Sequence, residues 1–209
     1  PTPSDHNDDR SLRLIYASRL TNVDKEALRL IPLIRALIES GLTFSFDIYG
    51  DGACRNEIKE FLDGLELADS SITLHGDRPK QTIEQAFSKA DVFVSLASKE
   101  GFGMAIAEAM SSRLVPVVMS FDGGICELLK DGEDSILVEQ EDFEDFVGKI
   151  AKLDKNRKLL RRIKDNARKN IKVFQDEKFF FRSFREIAEA CFRENDQSSK
   201  YERLPLWIR

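Results

Sequence analysis

DVFVSLASKEGFGMAIAEAMSSRLVPVVMS (Asp91–Ser120) decides the fold of this chain. Its opening run, Asp91–Ala97, is almost wholly apolar, the composition of a strand covered on both faces. Gly101 and Gly103 break the chain after it. Gly103–Ser112 then reads as a helix rich in Ala, Met and Glu, and Val115–Ser120 is a second buried-strand run. Strand, helix and strand in this order predict parallel pairing, with the helix lying over the sheet.

Working outward, the same alternation recurs. LRLIYAS (Leu12–Ser18), TFSFDIYG (Thr43–Gly50), SITLHG (Ser71–Gly76) and SILVE (Ser135–Glu139) read as four further strands. Asp24–Ser40 has apolar residues at Ala27, Leu28, Ile31, Ile34 and Leu37, the spacing of a helix. Asp24 is its expected N-cap, Gly41 its stop, and Pro32 a kink. Cys54–Ala68, Gln81–Lys89 and Gly124–Lys130 are the remaining crossover helices. Six strands alternating with helices predict an α/β fold, a Rossmann-like doubly wound six-stranded parallel sheet. Beyond it Asp142–Leu153, Asn156–Phe174 and Glu177–Glu194 read as C-terminal helices packed across one end of the sheet. Residues 1–11, polar with two prolines, read as linker or disordered. One domain is expected over 12–195, and a tail over 196–209 holding the single tryptophan, Trp207.

Composition narrows the function. The chain has 209 residues with 32 Lys and Arg against 37 Asp and Glu, a net charge of −5. An acidic balance argues against a nucleic-acid partner. No apolar run reaches the ~18 residues of a membrane span, and no signal peptide is visible. Cys54, Cys126 and Cys191 are far apart and unpaired in sequence. They read as thiols of a reducing, cytoplasmic compartment rather than a disulfide framework or zinc site. His6 and His75 are the only histidines, too few for a His-ligated metal or a Ser-His-Asp hydrolase. The chain opens on Pro1 without Met and reads as a cut fragment.

Doubly wound sheets bind ligands beyond the carboxyl ends of their strands, where the strand order reverses. With strand order 3-2-1-4-5-6, the loops after Ser18 and Ala97 face each other. The first carries Arg19 and Lys25. The second carries Glu100, Gly101 and Gly103 at a helix start, whose free N–H groups and dipole attract anions. Two cations opposite such a helix start suit a diphosphate. Glu100 and Glu108 then suit hydroxyls of sugars on either side of it. Gly50–Gly52 and Asp122–Gly124, with Gly123 and Gly124, open on the same rim. The dinucleotide fingerprint GxGxxG and the phosphate loop GxxxxGK are absent, which excludes the usual nicotinamide and P-loop sites.

EGFGMAIAEAM (Glu100–Met110) resembles the Glu-x7-Glu signature of retaining GT-B glycosyltransferases, glycosyltransferase family 4 in particular. Ser18–Lys25, HGDRPKQTIEQAFSKADVFVSLAS, VPVV (Val115–Val118) and DGGICELLKDGEDSILV (Asp122–Val138) occur in matching order. The likeness runs over about Leu12–Phe192, the carboxyl-terminal, donor-binding half of a two-domain GT-B enzyme. It implies that Arg19 and Lys25 bind the donor diphosphate and that Glu100 holds donor-sugar hydroxyls. Glu108 would hold the ribose, Phe102 and Gly103 would present backbone N–H groups, and Arg78 would lie beside the base. Gly123 and Gly124 join the implied donor site. The implied substrate is a UDP- or GDP-sugar, used without metal or cofactor, in cell-envelope polysaccharide biosynthesis. The missing amino-terminal acceptor domain would be the main partner, and this half alone is expected to be inactive. Three positions depart from the pattern: Ser112 and Arg113 stand before the fifth strand where glycine is usual, and Ser135 replaces another glycine.

Two other classes remain open on the sequence: another GT-B enzyme, such as an epimerase or a glycogen or starch synthase, and a non-catalytic nucleotide-sugar-binding module. Lys149–Val173 carries eleven Lys or Arg against two Asp. That excess reads as a solvated helix face or as contact with an anionic membrane surface bearing a lipid-linked acceptor, which would make the protein peripheral at the inner face. Phe174, Phe179, Phe180, Phe181 and Phe184 read as packing of the last helices.

Overall fold

The computed structural model describes residues 11–66, 70–100, 102–122 and 124–175. Its strands are β1 (Leu12–Ala17), β2 (Phe44–Tyr49), β3 (Ser71–Gly76), β4 (Val92–Ser95), β5 (Val115–Met119) and β6 (Ile136–Val138). They form one sheet in the order β3-β2-β1-β4-β5-β6, and every pair is parallel. The expected fold and strand order are both present. The helices are α1 (Leu30–Glu39), α2 (Arg55–Asp63), α3 (Lys80–Phe87), α4 (Met104–Ser111), α5 (Phe143–Lys155) and α6 (Arg157–Gln175).

Strand alternation splits the core in two. Leu12, Leu14, Phe46, Ile48, Val92 and Val117 point to one face, beneath α1, α2 and α5. Ile15, Phe93 and Val118 point to the other, beneath α3 and α4. This two-sided burial is why the central strands are apolar throughout. The edge strand β3 is half exposed. Helix α6 serves both halves, with Leu160 and Ile163 in the first cluster and Ala167 and Ile171 in the second. It runs under the amino ends of the strands. Lys164 there donates to the Asp91 carboxylate at 3.0 Å and approaches the Ala90 carbonyl at 3.4 Å.

Four local expectations need correction. The helix expected from Asp24 starts later: a 3-10 turn over Ala27–Arg29 leads into α1 at Leu30. Asp24 is no N-cap, because its carboxylate is taken by Thr21 and Arg19. Pro32 is the third residue of α1, so its missing N–H falls in the first turn, where no intrahelical bond is lost and no kink is required. Gly124–Lys130 is only a 3-10 turn over Gly124–Glu127. The segments Glu177–Glu194 and 196–209, and the phenylalanines from Phe179 on, lie outside the described residues. No helix among the described residues is long and apolar enough to cross a membrane.

Candidate functional site

Because β1 and β4 are neighbours, their exit loops meet. The Ser98 and Lys99 N–H groups donate to the Asp24 carbonyl at 3.2 and 3.4 Å. The Ser98 hydroxyl donates to Glu26 at 2.9 Å. Glu26 itself sits at φ 49°, left-handed for a residue with a side chain. That position costs about 1–2 kcal/mol and fixes the bend that carries Lys25.

The meeting loops hold a chain of charges. Arg19 donates to the Asp24 carboxylate at 2.8 Å, and the Thr21 hydroxyl donates to its other oxygen at 3.0 Å. Desolvation, the largest single influence, pushes the Asp24 carboxyl upward. The Thr21 bond, Arg19 and Lys25 together outweigh it and hold the group below its ordinary value. Lys25 lies 3.8 Å from Asp24 and pairs directly with Glu100. Only 12% of the Lys25 side chain and 16% of the Glu100 side chain are exposed. They line a small cavity with Tyr16, Ala17, Ser18 and Ala105. Its volume of about 10 Å³ is near that of a single water. Burial there pushes the Tyr16 phenol far up and keeps it neutral.

Ala17, Ser18 and Ala105 also line a cleft of about 410 Å³ with Arg19, Tyr49, Asp77 and Glu108. Glu108 continues into an adjoining cleft of about 450 Å³ lined by Arg78, Lys80 and Ser112. The sequence-derived residues thus fall along one groove: Lys25 and Glu100 at one end, Arg19 and Glu108 in the middle, Arg78 beyond. Arg78 is exposed and Phe102 half-buried, the latter packed against the second core cluster. Gly123, and Gly101 beside Glu100, lie outside the described residues.

Gly103 caps α4 at φ +86°, and a Cβ there would stand 2.6 Å from Ile125 Cγ2. Gly124 begins the turn that carries Ile125, so the two glycines let that turn press against the start of α4. No side chain caps α4, which leaves its first N–H groups and its dipole available to an anion.

His75, at the end of the third strand, is open on the sequence to a minor ligand role near the base; Lys80 and Tyr49 are not singled out there, and Asp24 reads only as an N-cap. Asp24 is the hub of the Arg19–Lys25 loop. Lys80 stands 3.4 Å from Glu108. Tyr49 stacks on His75 with ring centroids 4.3 Å apart, and His75 Nε2 lies 2.6 Å from Asp47 Oδ1. Alternation along β2 and β3 offered a signal for that stack, since both residues lie near carboxyl ends of paired strands.

Comparison with known proteins gives this groove a context. An uncharacterised glycosyltransferase of Methanocaldococcus jannaschii is 30% identical over 137 residues, covering 66% of this chain and 38% of its own length. Sulfoquinovosyl transferase of Arabidopsis thaliana is 31% identical over 143 residues, covering 67% and 26%. The poly(ribitol-phosphate) α-N-acetylglucosaminyltransferase of Staphylococcus aureus is 25% identical over 142 residues, covering 68% and 28%. The chain therefore spans well under half the length of these relatives. Among solved structures, the galactosyltransferase WaaB of the lipopolysaccharide outer core superposes with a TM-score of 0.72 at 21% identity, over 87% of this chain and 50% of that one. The C-terminal domain of a group 1 glycosyl transferase from Francisella tularensis superposes at 0.63 and 20% identity, over 79% and 85%. Residues 3–170 match the family described as Glycosyl transferases group 1, and the chain belongs to that family.

Proposed function

We propose that this chain is the donor-binding half of a retaining, metal-independent glycosyltransferase that passes a hexosyl unit from a UDP- or GDP-sugar to a glycan or glycolipid. One observation carries the reading. Two cavities share Ala17, Ser18 and Ala105; one holds Lys25 and Glu100, the other Arg19 and Glu108. A diphosphate beside the shared wall would have a cation from each cavity and the uncapped start of α4. The donor sugar would meet Glu100, the ribose Glu108, and the base the region of Arg78.

Cleaving the sugar–phosphate bond moves negative charge onto the leaving diphosphate. Arg19, Lys25 and the α4 dipole stabilise that charge once the two cations have turned from Asp24 and Glu100 toward the phosphates. The acceptor attacks from the face the leaving group vacates, and a diphosphate oxygen takes its proton. Loss of Arg19 or Lys25 would cost ~10²–10³ in rate, on the scale of a lost oxyanion donor. Relatives named as a putative colanic acid biosynthesis glycosyltransferase, a poly(ribitol-phosphate) α-N-acetylglucosaminyltransferase and a poly(glycerol-phosphate) α-glucosyltransferase support a cell-envelope role. The 85% coverage of an isolated C-terminal domain supports the reading that an amino-terminal half supplies the acceptor site. The exposed cations of α6, which runs under the amino ends of the strands while the groove lies at their carboxyl ends, would rest on an anionic membrane surface.

The test is calorimetric titration of the chain with UDP, GDP and ADP in chelator, beside Arg19→Ala. Binding of one nucleotide, lost in the variant, is expected. Equal binding by both proteins, or binding only after metal is added, would overturn the assignment.

A further inference from the structure

We propose that the Lys25–Glu100 pair is a latch that makes the groove prefer an intact nucleotide-sugar over the bare nucleoside diphosphate left after transfer. This rests on the donor-site reading above and adds a selectivity to it.

The observations are local. Both side chains are largely buried, and they close on each other around a cavity of about one water's volume. Asp24, the other acid near Lys25, is already held by Arg19 and Thr21. The two loops are tied through the Asp24 carbonyl and Glu26, so the pair forms between positioned partners.

A bare diphosphate that draws Lys25 toward its oxygens strips Glu100 of its cation. A part-buried carboxylate left unpaired is costly, and that cost opposes binding. A sugar attached to the diphosphate changes the balance, because its hydroxyls donate to Glu100 while Lys25 turns to phosphate. Both charges then keep partners. Once the sugar has left, Glu100 competes again for Lys25, and the diphosphate is expelled. Product release is often the slow step of an enzyme, so the latch speeds turnover as well as selecting the donor.

The experiment titrates UDP, GDP, UDP-glucose and GDP-glucose into the wild-type chain, Glu100→Gln and Glu100→Asp, with thermal melts to verify folding. Glu100→Gln is expected to bind the bare diphosphate about tenfold tighter, ~1.4 kcal/mol, and to lose the preference for the sugar conjugate. Glu100→Asp keeps the charge but withdraws the carboxylate by one methylene and so weakens the direct contact with Lys25, and it is expected to shift the same way by a smaller factor. Tightening in Gln alone would mean simple charge repulsion and would overturn the latch. Unchanged or weaker diphosphate binding in both would also overturn it. If neither variant folds, Lys25→Gln gives the answer: with a latch it weakens the sugar conjugate more than the bare diphosphate, and without one it weakens both equally. No binding of any of the four ligands to the wild-type chain would remove the donor-site reading itself, and the latch with it.

Discussion

Replacing Gly50 by alanine should disable the groove from behind, and the structure gives the size of the effect. Gly50 leaves β2 at φ +132°, a conformation open to glycine but not to residues with a Cβ. An added Cβ would stand 1.9 Å from the Ser18 carbonyl oxygen and 3.0 Å from its carbon. The obstacle is backbone and cannot rotate aside. It is also tied in place: Ser18 N–H donates to the Tyr49 carbonyl at 3.2 Å, Gly50 N–H to Gly76 at 2.9 Å, and Leu20 N–H to Asp51 at 2.9 Å. Strain of about 1–3 kcal/mol at Gly50 adds to roughly 1 kcal/mol for each backbone bond broken. With two bonds lost, the cost is about 3–5 kcal/mol, which at ~2–4 °C per kcal/mol lowers the Tm by about 10 °C. Arg19 follows Ser18 directly, so nucleotide affinity should fall by about tenfold or more, ~1.4 kcal/mol. Scanning calorimetry and nucleotide titration read the two effects. Gly41→Ala is the control: Gly41 has φ +71° but nothing within 4 Å of an added Cβ. It should lose only about 1–2 kcal/mol and keep nucleotide binding. Equal losses in the two variants would refute the steric argument.

Asp24 supplies a pH prediction. Its folded value lies below the ordinary one, so its contribution to stability is complete above the ordinary carboxylate range and is lost as pH falls through the folded value. The stability gap between the wild-type chain and Asp24→Asn in urea melts should be constant above about pH 5 and shrink below about pH 4; a gap that widens in acid would remove the assigned role. Helix α6 supplies another. Lys158, Arg168, Lys169 and Lys172 are exposed, and each cation near an anionic surface is worth ~1 kcal/mol. The protein should sediment with phosphatidylserine vesicles at low salt and not with zwitterionic ones, and reversing these four to Glu should abolish it. A wild-type chain that ignores anionic vesicles has no membrane partner on this face.

Much of the groove was legible because its signals are local. Glycines at strand exits and cations in the following loop are sequence facts, and the strand order of a doubly wound sheet assigns them a common rim. Asp24 was misread because a carboxylate before an apolar period is the usual mark of an N-cap. Spacing carries no information about Arg19 and Thr21 folding back onto it. Pro32 was misread for the same reason: its effect depends on where the helix starts, and the tertiary contacts of the β1 loop moved that start to Leu30. The expected 124–130 helix is only a 3-10 turn over Gly124–Glu127, and its Ile125 is buried beside Gly103, a tertiary contact that the spacing does not show.

The sequence by itself determined the alternation, and with it the parallel sheet. Apolar runs bounded by glycine and separated by 3.6-period segments admit few other ways to bury both faces of every strand. Tertiary structure alone decided the charge pairing: which acid neutralises Arg19, that Lys25 closes on Glu100, that Lys80 meets Glu108, and that Lys164 finds Asp91 beneath the sheet. Lys25 and Glu100 are separated by 75 residues, and the meeting of β1 with β4 brings them within reach, while α3 against α4 and α6 beneath β4 bring together the pairs of Lys80 and Lys164. Burial of the strands is a property each segment carries alone, whereas an ion pair exists only once two segments share a place.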